Sequence, residues 1–132
     1  MLLVDTNVLV DVLQNDPQWA DWSIAQLRAQ AKLHALVINP VIYAEMSLSF
    51  STLEALDDVV STMELELHEI PRPALFLAAR AYAQYRRRGG SKGQGLPDFF
   101  IGAHAAVEGW PLLTRDANRF KTYFPTLEVI AP

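Results

Sequence analysis

The chain has 132 residues, 51% of them hydrophobic and 20% charged, with a net charge of −4 and no cysteine. This composition fits one folded domain that buries about two-thirds of its unfolded-chain surface, and it excludes disulfides, thiolate zinc sites and cysteine nucleophiles. No apolar run approaches the roughly 20 residues needed to cross a bilayer, and residues 1–4 are too short and lack the basic lead of a signal peptide, so a single cytoplasmic domain over residues 1–132 is expected.

Leu2–Val4 is a short apolar run that predicts a buried strand, and a helix is expected over Asn7–Gln14. Asn15-Asp16-Pro17 supplies a turn, a cap and a proline at the first position of the next helix. The stripe Ala20, Ile24, Leu27 and Ala31 carries that helix to about Lys32. Ala35–Ile38 reads as a second strand, and Asn39-Pro40 opens a helix bearing Val41, Ile42, Glu45 and Leu48. Ser51-Thr52 caps a helix to about Thr62, after which Leu65–Ile70 is a strand or an extended edge.

Pro71 and Pro73 punctuate the chain, and Leu75, Ala79, Tyr82 and Ala83 line a long helix ending near Arg88. The loop GGSKGQG follows, and Pro97 starts the helix DFFIGAHAAVE, stopped by Gly109. Leu112–Leu113 is a short strand, Ala117–Lys121 a helical turn and Leu127–Ile130 a last strand. Short apolar strands alternating with helices predict an α/β domain whose mostly parallel sheet is covered on both faces. Binding groups in such sheets collect outside the carboxyl ends of the strands. Asp5 directly follows the first strand, and Asp116 follows Leu112–Leu113 after only Thr114 and Arg115.

Two further acids stand on helices that should be packed. Glu45 has Val41 one turn before it and Leu48 near one turn after, and Asp98 has Ile101, Gly102 and Ala105 on its own face. Each acid has a bland explanation. Asp98 gains from the dipole at a helix start, Asp116 can cap the turn after it, and Glu45 can pair with an arginine of residues 80–88. Asp5 can be an N-cap, although Thr6 or Asn7 would serve without adding charge. Taken jointly these explanations are weak, because two of the acids end strands on one edge and the other two face inward from helices that could flank it. Two carboxylates about 4 Å apart would repel by roughly 4 kcal/mol at an effective dielectric of 20. A basic side chain or a metal must offset that repulsion. Oxygen ligands without His or Cys suit a hard ion, Mg²⁺ or Mn²⁺, which leaves room for phosphate oxygens.

Charge is also distributed unevenly. Residues 1–69 hold eleven acids against two bases, whereas Arg72, Arg80, Arg86, Arg87, Arg88 and Lys92 lie in residues 70–97 with no acid. The second segment reads as a local positive surface able to hold phosphates, or as a solvated helix end whose cations favour the dipole.

DTNVLVD, the Ala44-Glu45 pair, PDFFIGAHA and LLTRDANRF together resemble the PIN-domain nucleases, and the size is similar to that of the VapC toxins of toxin–antitoxin pairs. The resemblance runs down to the closing YFPTLEVIAP and rests on the order and spacing of the motifs. It implies a compact three-layer α/β/α fold, RNA cleavage with Mg²⁺ or Mn²⁺, a homodimer, and inhibition by a cognate antitoxin protein. By match, Asp5, Glu45 and Asp98 are catalytic acids and metal ligands. Asp116 matches the fourth acid, although some relatives carry that acid three positions later, where this chain has Arg119. Thr6, Asn7 and Thr114 match residues that orient carboxylates or water. Arg115, Arg119, Arg87, Arg88 and Lys92 are candidate substrate contacts, and either Arg115 or Arg119 can instead pair with Asp116.

The GGSKGQG loop lacks the P-loop spacing and follows no strand, so it reads as a plain interhelical connection or as a wall beside the RNA channel. His34, His68 and His104 are scattered, without a serine-hydrolase signature, and His104 reads as a satisfied core histidine. Trp19, Trp22, Phe99 and Phe100 read first as core or dimer contacts, and an exposed one could stack on a base. Two alternatives to a nuclease are a catalytically silent RNA- or protein-binding module and a metal-dependent phosphatase. Asn7 stands where the second acid of an Asp-x-Asp phosphatase would be.

Overall fold

The computed structural model describes residues 1–93 and 95–132. Along the chain run β1 (Leu2–Val4), α1 (Thr6–Leu13), α2 (Ala20–Ala31), β2 (Leu36–Ile38), α3 (Pro40–Ser47) and α4 (Leu53–Thr62). Then come β3 (Glu66–Leu67), α5 (Arg72–Arg87), α6 (Leu96–Glu108), β4 (Leu112–Leu113), α7 (Asn118–Tyr123) and β5 (Val129–Ile130). The strands form one sheet in the order β3, β2, β1, β4, β5. Every pairing is parallel, so the sheet is wholly rather than mostly parallel.

Parallel neighbours require crossovers, and the helices supply them. The chain steps outward from β1 to β2 and β3, then returns past β1 to lay down β4 and β5. The strand order reverses between β1 and β4, the switch point at which open α/β sheets hold ligands. Leu2, Leu3, Val4, Val37, Ile38, Leu112 and Leu113 have no exposed surface, as strands covered on both faces require. The expected Leu65–Ile70 strand shrinks to the exposed pair Glu66–Leu67 at one edge, and a short edge offers little template for pairing with another chain.

α6 is the central helix. It buries Phe99, Ile101, Gly102, Ala103, His104 and Ala105 and packs on α3, α5, α7 and β1. Gly109 ends it in the left-handed conformation, at φ 69°, which glycine adopts without a Cβ penalty.

Three helical faces differ from the apolar spacing. α5 buries Ala74, Ala78 and Ala81 while Leu75 is 41% exposed, because small side chains let α5 close on α6. α3 buries Ile42 and Met46, and Leu48 is an exposed C-cap, so Glu45 stands half-buried at the margin of the packed face. α2 buries Ser23 with Ala20 and Leu27, and Ala31 is exposed. It begins at Ala20 rather than Pro17 because the Asp16 carboxylate accepts from the Gln18 and Trp19 N–H groups at 2.9 and 2.8 Å, closing a separate turn. In the GGSKGQG loop, Gln94 lies outside the described residues. The Gly93 N–H donates to the Tyr82 hydroxyl at 2.9 Å, tying the loop to α5.

Gly102 sits where α6 meets the end of α7. A Cβ there would lie 2.5 Å from the Phe124 ring and 3.0 Å from Phe120. Gly102→Val is expected to cost about 1–3 kcal/mol by overpacking, seen as a melting temperature several degrees lower by circular dichroism. An unchanged melting temperature would contradict this packing.

Candidate active site

The parallel register of β1 and β4 assembles the first half of the site. Leu3 lies opposite Leu112 and Val4 opposite Leu113, and the Asp5 N–H donates to the Leu113 carbonyl at 2.9 Å. The next residues in register are therefore Asp5 and Thr114, both at the carboxyl edge of the sheet. Asp5 is only 4% exposed. It is itself the N-cap of α1, accepting from the Thr6 N–H at 2.7 Å, so the capping explanation of Asp5 holds although neutral Thr6 or Asn7 stands next to it. Its second oxygen accepts from the Thr114 hydroxyl at 2.8 Å. The Thr114 hydroxyl also accepts from the Asp116 N–H at 3.2 Å and the Asn7 amide at 3.4 Å, and Asn7 Oδ1 accepts from the Arg115 N–H at 3.2 Å.

The second half comes from α3 and α6. Thr6 donates its hydroxyl to Glu45 Oε1 at 2.6 Å, which places the Glu45 carboxylate beside the start of α1. Asn39, at the end of β2, caps α3 by accepting from the Ile42 N–H at 3.0 Å, and its amide nitrogen meets His104 Nδ1 of α6 at 3.2 Å. One buried asparagine thus couples the two helices that carry Glu45 and Asp98. His104 is fully buried, but only one ring nitrogen is satisfied, since Nε2 has no hydrogen-bond partner among the described residues. Its ring packs on Trp110 at 5.2 Å. Burial, with a smaller effect from His68, pushes its pKa down to about 4, so the imidazole is neutral at pH 7.

Electrostatics show that the acids share one neighbourhood. Burial is the main cause that pushes the Asp5 pKa up to about 7, with the charges of Asp98 and Glu45 adding to it and hydrogen bonds from Thr114 and Thr6 opposing it. Asp98 is also raised, first by burial, with Asp116 contributing and Arg119 opposing. Asp116 is exposed, and its Oδ1 accepts from the Asn118 N–H at 3.4 Å, so it also closes the turn before α7.

The arginines take partners that spacing did not reveal. Arg119 donates from Nη1 to Asp98 Oδ2 at 2.9 Å, not to Asp116. Its guanidinium lies over the Tyr85 and Phe99 rings at 5.1 and 5.8 Å. Arg115 grips Asp11, donating from Nε at 2.9 Å and Nη2 at 3.0 Å. Asp11 is 2% exposed and escaped the sequence reading. Its place four residues after Asn7 and three after buried Val8, on one helical face, was the available signal. Arg87, Arg88 and Lys92 are exposed, and Arg88 lies over Tyr123 at 5.4 Å. Tyr82 and Tyr85 of α5 pack on Phe99 at 5.5 and 5.4 Å, which seats the last turns of α5 on α6 at the residue after Asp98. Phe99 is fully buried, Phe100 partly so, and Trp19 and Trp22 pack edge to face at 6.2 Å.

Among the described residues no three acidic or histidine side chains are close enough to form a ready-made metal cage. The donor set is nevertheless suited to a hard cation that keeps most of its water, since Mg²⁺ binds through one or two carboxylates. Asp5 and Asp98, each of whose carboxyls is raised chiefly by burial and the first of which feels the charge of the second, are the two that could hold it.

The raised pKa of Asp5 carries a stability prediction. A folded pKa of about 7 against an ordinary 3.8 means the folded state holds this proton more tightly than the unfolded chain. Stability from this group is therefore lost as pH rises toward 7. Without divalent metal, Asp5→Asn is expected to melt at or above the wild-type temperature at pH 8, with the difference closing toward pH 4. The amide can be accommodated because the Thr114 hydroxyl has a second acceptor, the Asp116 carbonyl at 3.3 Å. A wild type that melts higher at pH 8 would contradict the cost of burying the Asp5 charge.

A family model for the PIN domain matches residues 2–124. Among solved structures, VapBC2 from Rickettsia felis bound to a promoter DNA fragment is similar, with 19% identity, a TM-score of 0.74, and coverage of 98% of this chain and 97% of that one. DNA-bound VapBC from Salmonella typhimurium is 20% identical, with a TM-score of 0.71 and coverage of 98% and 96%. A toxin–antitoxin complex from Klebsiella pneumoniae is 19% identical, with a TM-score of 0.62 and coverage of 98% and 96%. No curated protein sequence is significantly similar. The matched span includes every acid at the sheet edge, and this chain belongs to the PIN-domain family.

Proposed function

We propose that this protein is a Mg²⁺- or Mn²⁺-dependent endoribonuclease, the toxin of a toxin–antitoxin pair. The observation that carries the reading is Asp5, an almost wholly buried carboxylate raised by burial and by neighbouring Asp98 and Glu45. Stability alone gives no reason to collect such charges, whereas a cation would offset their repulsion.

Asp5 and Asp98 would hold the ion, with Glu45 and Asp116 binding its waters or completing its ligands. A divalent ion bound there supplies polarisation of the phosphoryl oxygen, a lowered pKa for an attacking water, and neutralisation of developing charge. The protein contributes orientation. Thr114 and the Thr6 N–H fix both oxygens of Asp5, and the Thr6 hydroxyl fixes one of Glu45. Arg119 fixes one oxygen of Asp98, and the other oxygen would be the one to bind the ion. Arg87, Arg88 and Lys92 at the end of α5 offer phosphate contacts to a polyanionic substrate.

The similar solved structures include toxin–antitoxin complexes, and the same assembly is proposed here: a homodimer whose acid edge a cognate antitoxin covers, acting in the cytoplasm. No helix of the described residues is long and apolar enough to cross a membrane. One observation favours a catalytically silent RNA- or protein-binding module, namely that Arg119 already neutralises Asp98.

Purified protein freed of any antitoxin is expected to cleave RNA with Mg²⁺ or Mn²⁺ and to stop with EDTA. Asp5→Asn should lower cleavage by at least about 100-fold, the scale of losing a principal electrostatic group, with its circular dichroism spectrum retained. Undiminished cleavage by that variant or in EDTA would overturn the proposed site, and absence of Mn²⁺ uptake by calorimetry would favour the silent module.

A further inference from the structure

Asp11 is a buried carboxylate that the proposed chemistry does not use. It lies on α1, 2% exposed, and accepts three hydrogen bonds: from Arg115 Nε at 2.9 Å, Arg115 Nη2 at 3.0 Å and the Ser23 hydroxyl at 3.0 Å. The two bonds from Arg115 form the planar fork that suits a carboxylate. The guanidinium also lies over Trp19 at 5.5 Å. Replacing a buried ion pair by apolar groups of similar volume is often neutral or stabilising, so stability is a poor reason for this one. Its place in the fold supplies a better reason.

Arg115 is the middle residue of the connection Thr114–Asp116, which leaves β4 at the switch point. Its side chain is pinned to Asp11, and its backbone N–H is pinned to Asn7. Both anchors lie on α1, the helix whose N-cap is Asp5. The residue before Arg115 donates to Asp5, and the residue after it carries the fourth acid. With Arg115 fixed at side chain and backbone, the neighbours on either side have little freedom to move relative to Asp5.

We propose that Arg115 is a positioning residue, held by Asp11, that sets Thr114 and Asp116 in place against Asp5 for metal binding. It acts through those neighbours and not through a phosphate contact, because its Nε and Nη2 are turned inward on a buried carboxylate. This assignment rests on the metal-site reading above, and the experiment separates the two.

Asp11→Asn, Arg115→Gln and the double variant are compared with wild type by two measurements. In metal-free protein, hydrogen exchange at the Arg115 and Asp116 amides should speed up by at least about tenfold in each single variant, the signature of locally weakened structure. Calorimetric Mn²⁺ affinity should fall by about 10- to 100-fold, the usual loss when a group that orients ligands is removed. The two single losses should match, and the double variant should lose no more than either. Asp11→Leu/Arg115→Met leaves no unpaired buried charge, so it should keep the wild-type melting temperature and still lose Mn²⁺ affinity.

Wild-type Mn²⁺ affinity in that last variant, or losses that simply add, would overturn the proposal. A phosphate contact would instead raise KM for RNA in Arg115→Gln, leave Asp11→Asn unaffected and change neither amide exchange nor Mn²⁺ affinity. Should wild type take up no Mn²⁺, the metal-site reading fails, and the assignment of Arg115 to metal binding falls with it. Exchange at the two amides then still reports whether Asp11 pins the loop.

Discussion

The arrangement depends on one pairing, β1 beside β4 in parallel register. Their register puts Asp5 next to Thr114, and the reversal of strand order there opens the edge between them. A carboxylate delivered to that edge is nearly stripped of water, and desolvation raises its pKa more than hydrogen bonds from Thr114 and Thr6 lower it. Every other feature of the site responds to that placement. Glu45 is held by Thr6, Asp98 by Arg119, and the loop carrying Asp116 by Arg115 and Asn7.

One cation already answers part of the gathered charge. Arg119 is built in, backed by the Tyr85 and Phe99 rings and lying close against Gly95, where a Cβ would meet its guanidinium. It spans Asp98 alone, so Asp5 keeps its raised pKa. The remaining imbalance is what a divalent ion would relieve, and the oxygen-only donor set favours a hard one. Arg115 stands apart from this exchange. Its charge is consumed by Asp11, and what it contributes is the position of its neighbours.

Much of this was legible in the residues. Uninterrupted apolar runs marked the buried strands, and the acids following the first and fourth of them lie at the carboxyl edge of the sheet, where their positions in the sequence put them. Asn39 and Gly109 marked helix ends correctly because capping is a local property. Helical faces were less legible. In α5 the packed side is alanine, chosen by the closeness of α6, and hydrophobic spacing points instead to the exposed Leu75. Glu45 was singled out with Leu48 as a buried neighbour, yet Leu48 is exposed and the Thr6 hydroxyl is what draws Glu45 in. Pairings across the chain were not legible at all. Asp11 and Arg115 lie 104 positions apart, and only the fold brings them together.

The claim that these carboxylates form a hard-metal site can be tested by locating the ion itself. Crystals of the antitoxin-free protein soaked in Mn²⁺ would give an anomalous scattering peak wherever manganese binds. A peak at ligand distance from the Asp5 and Asp98 carboxylates, absent from Asp5→Asn crystals, is the predicted result. An empty edge at saturating Mn²⁺, or manganese bound only elsewhere on the surface, would contradict the account.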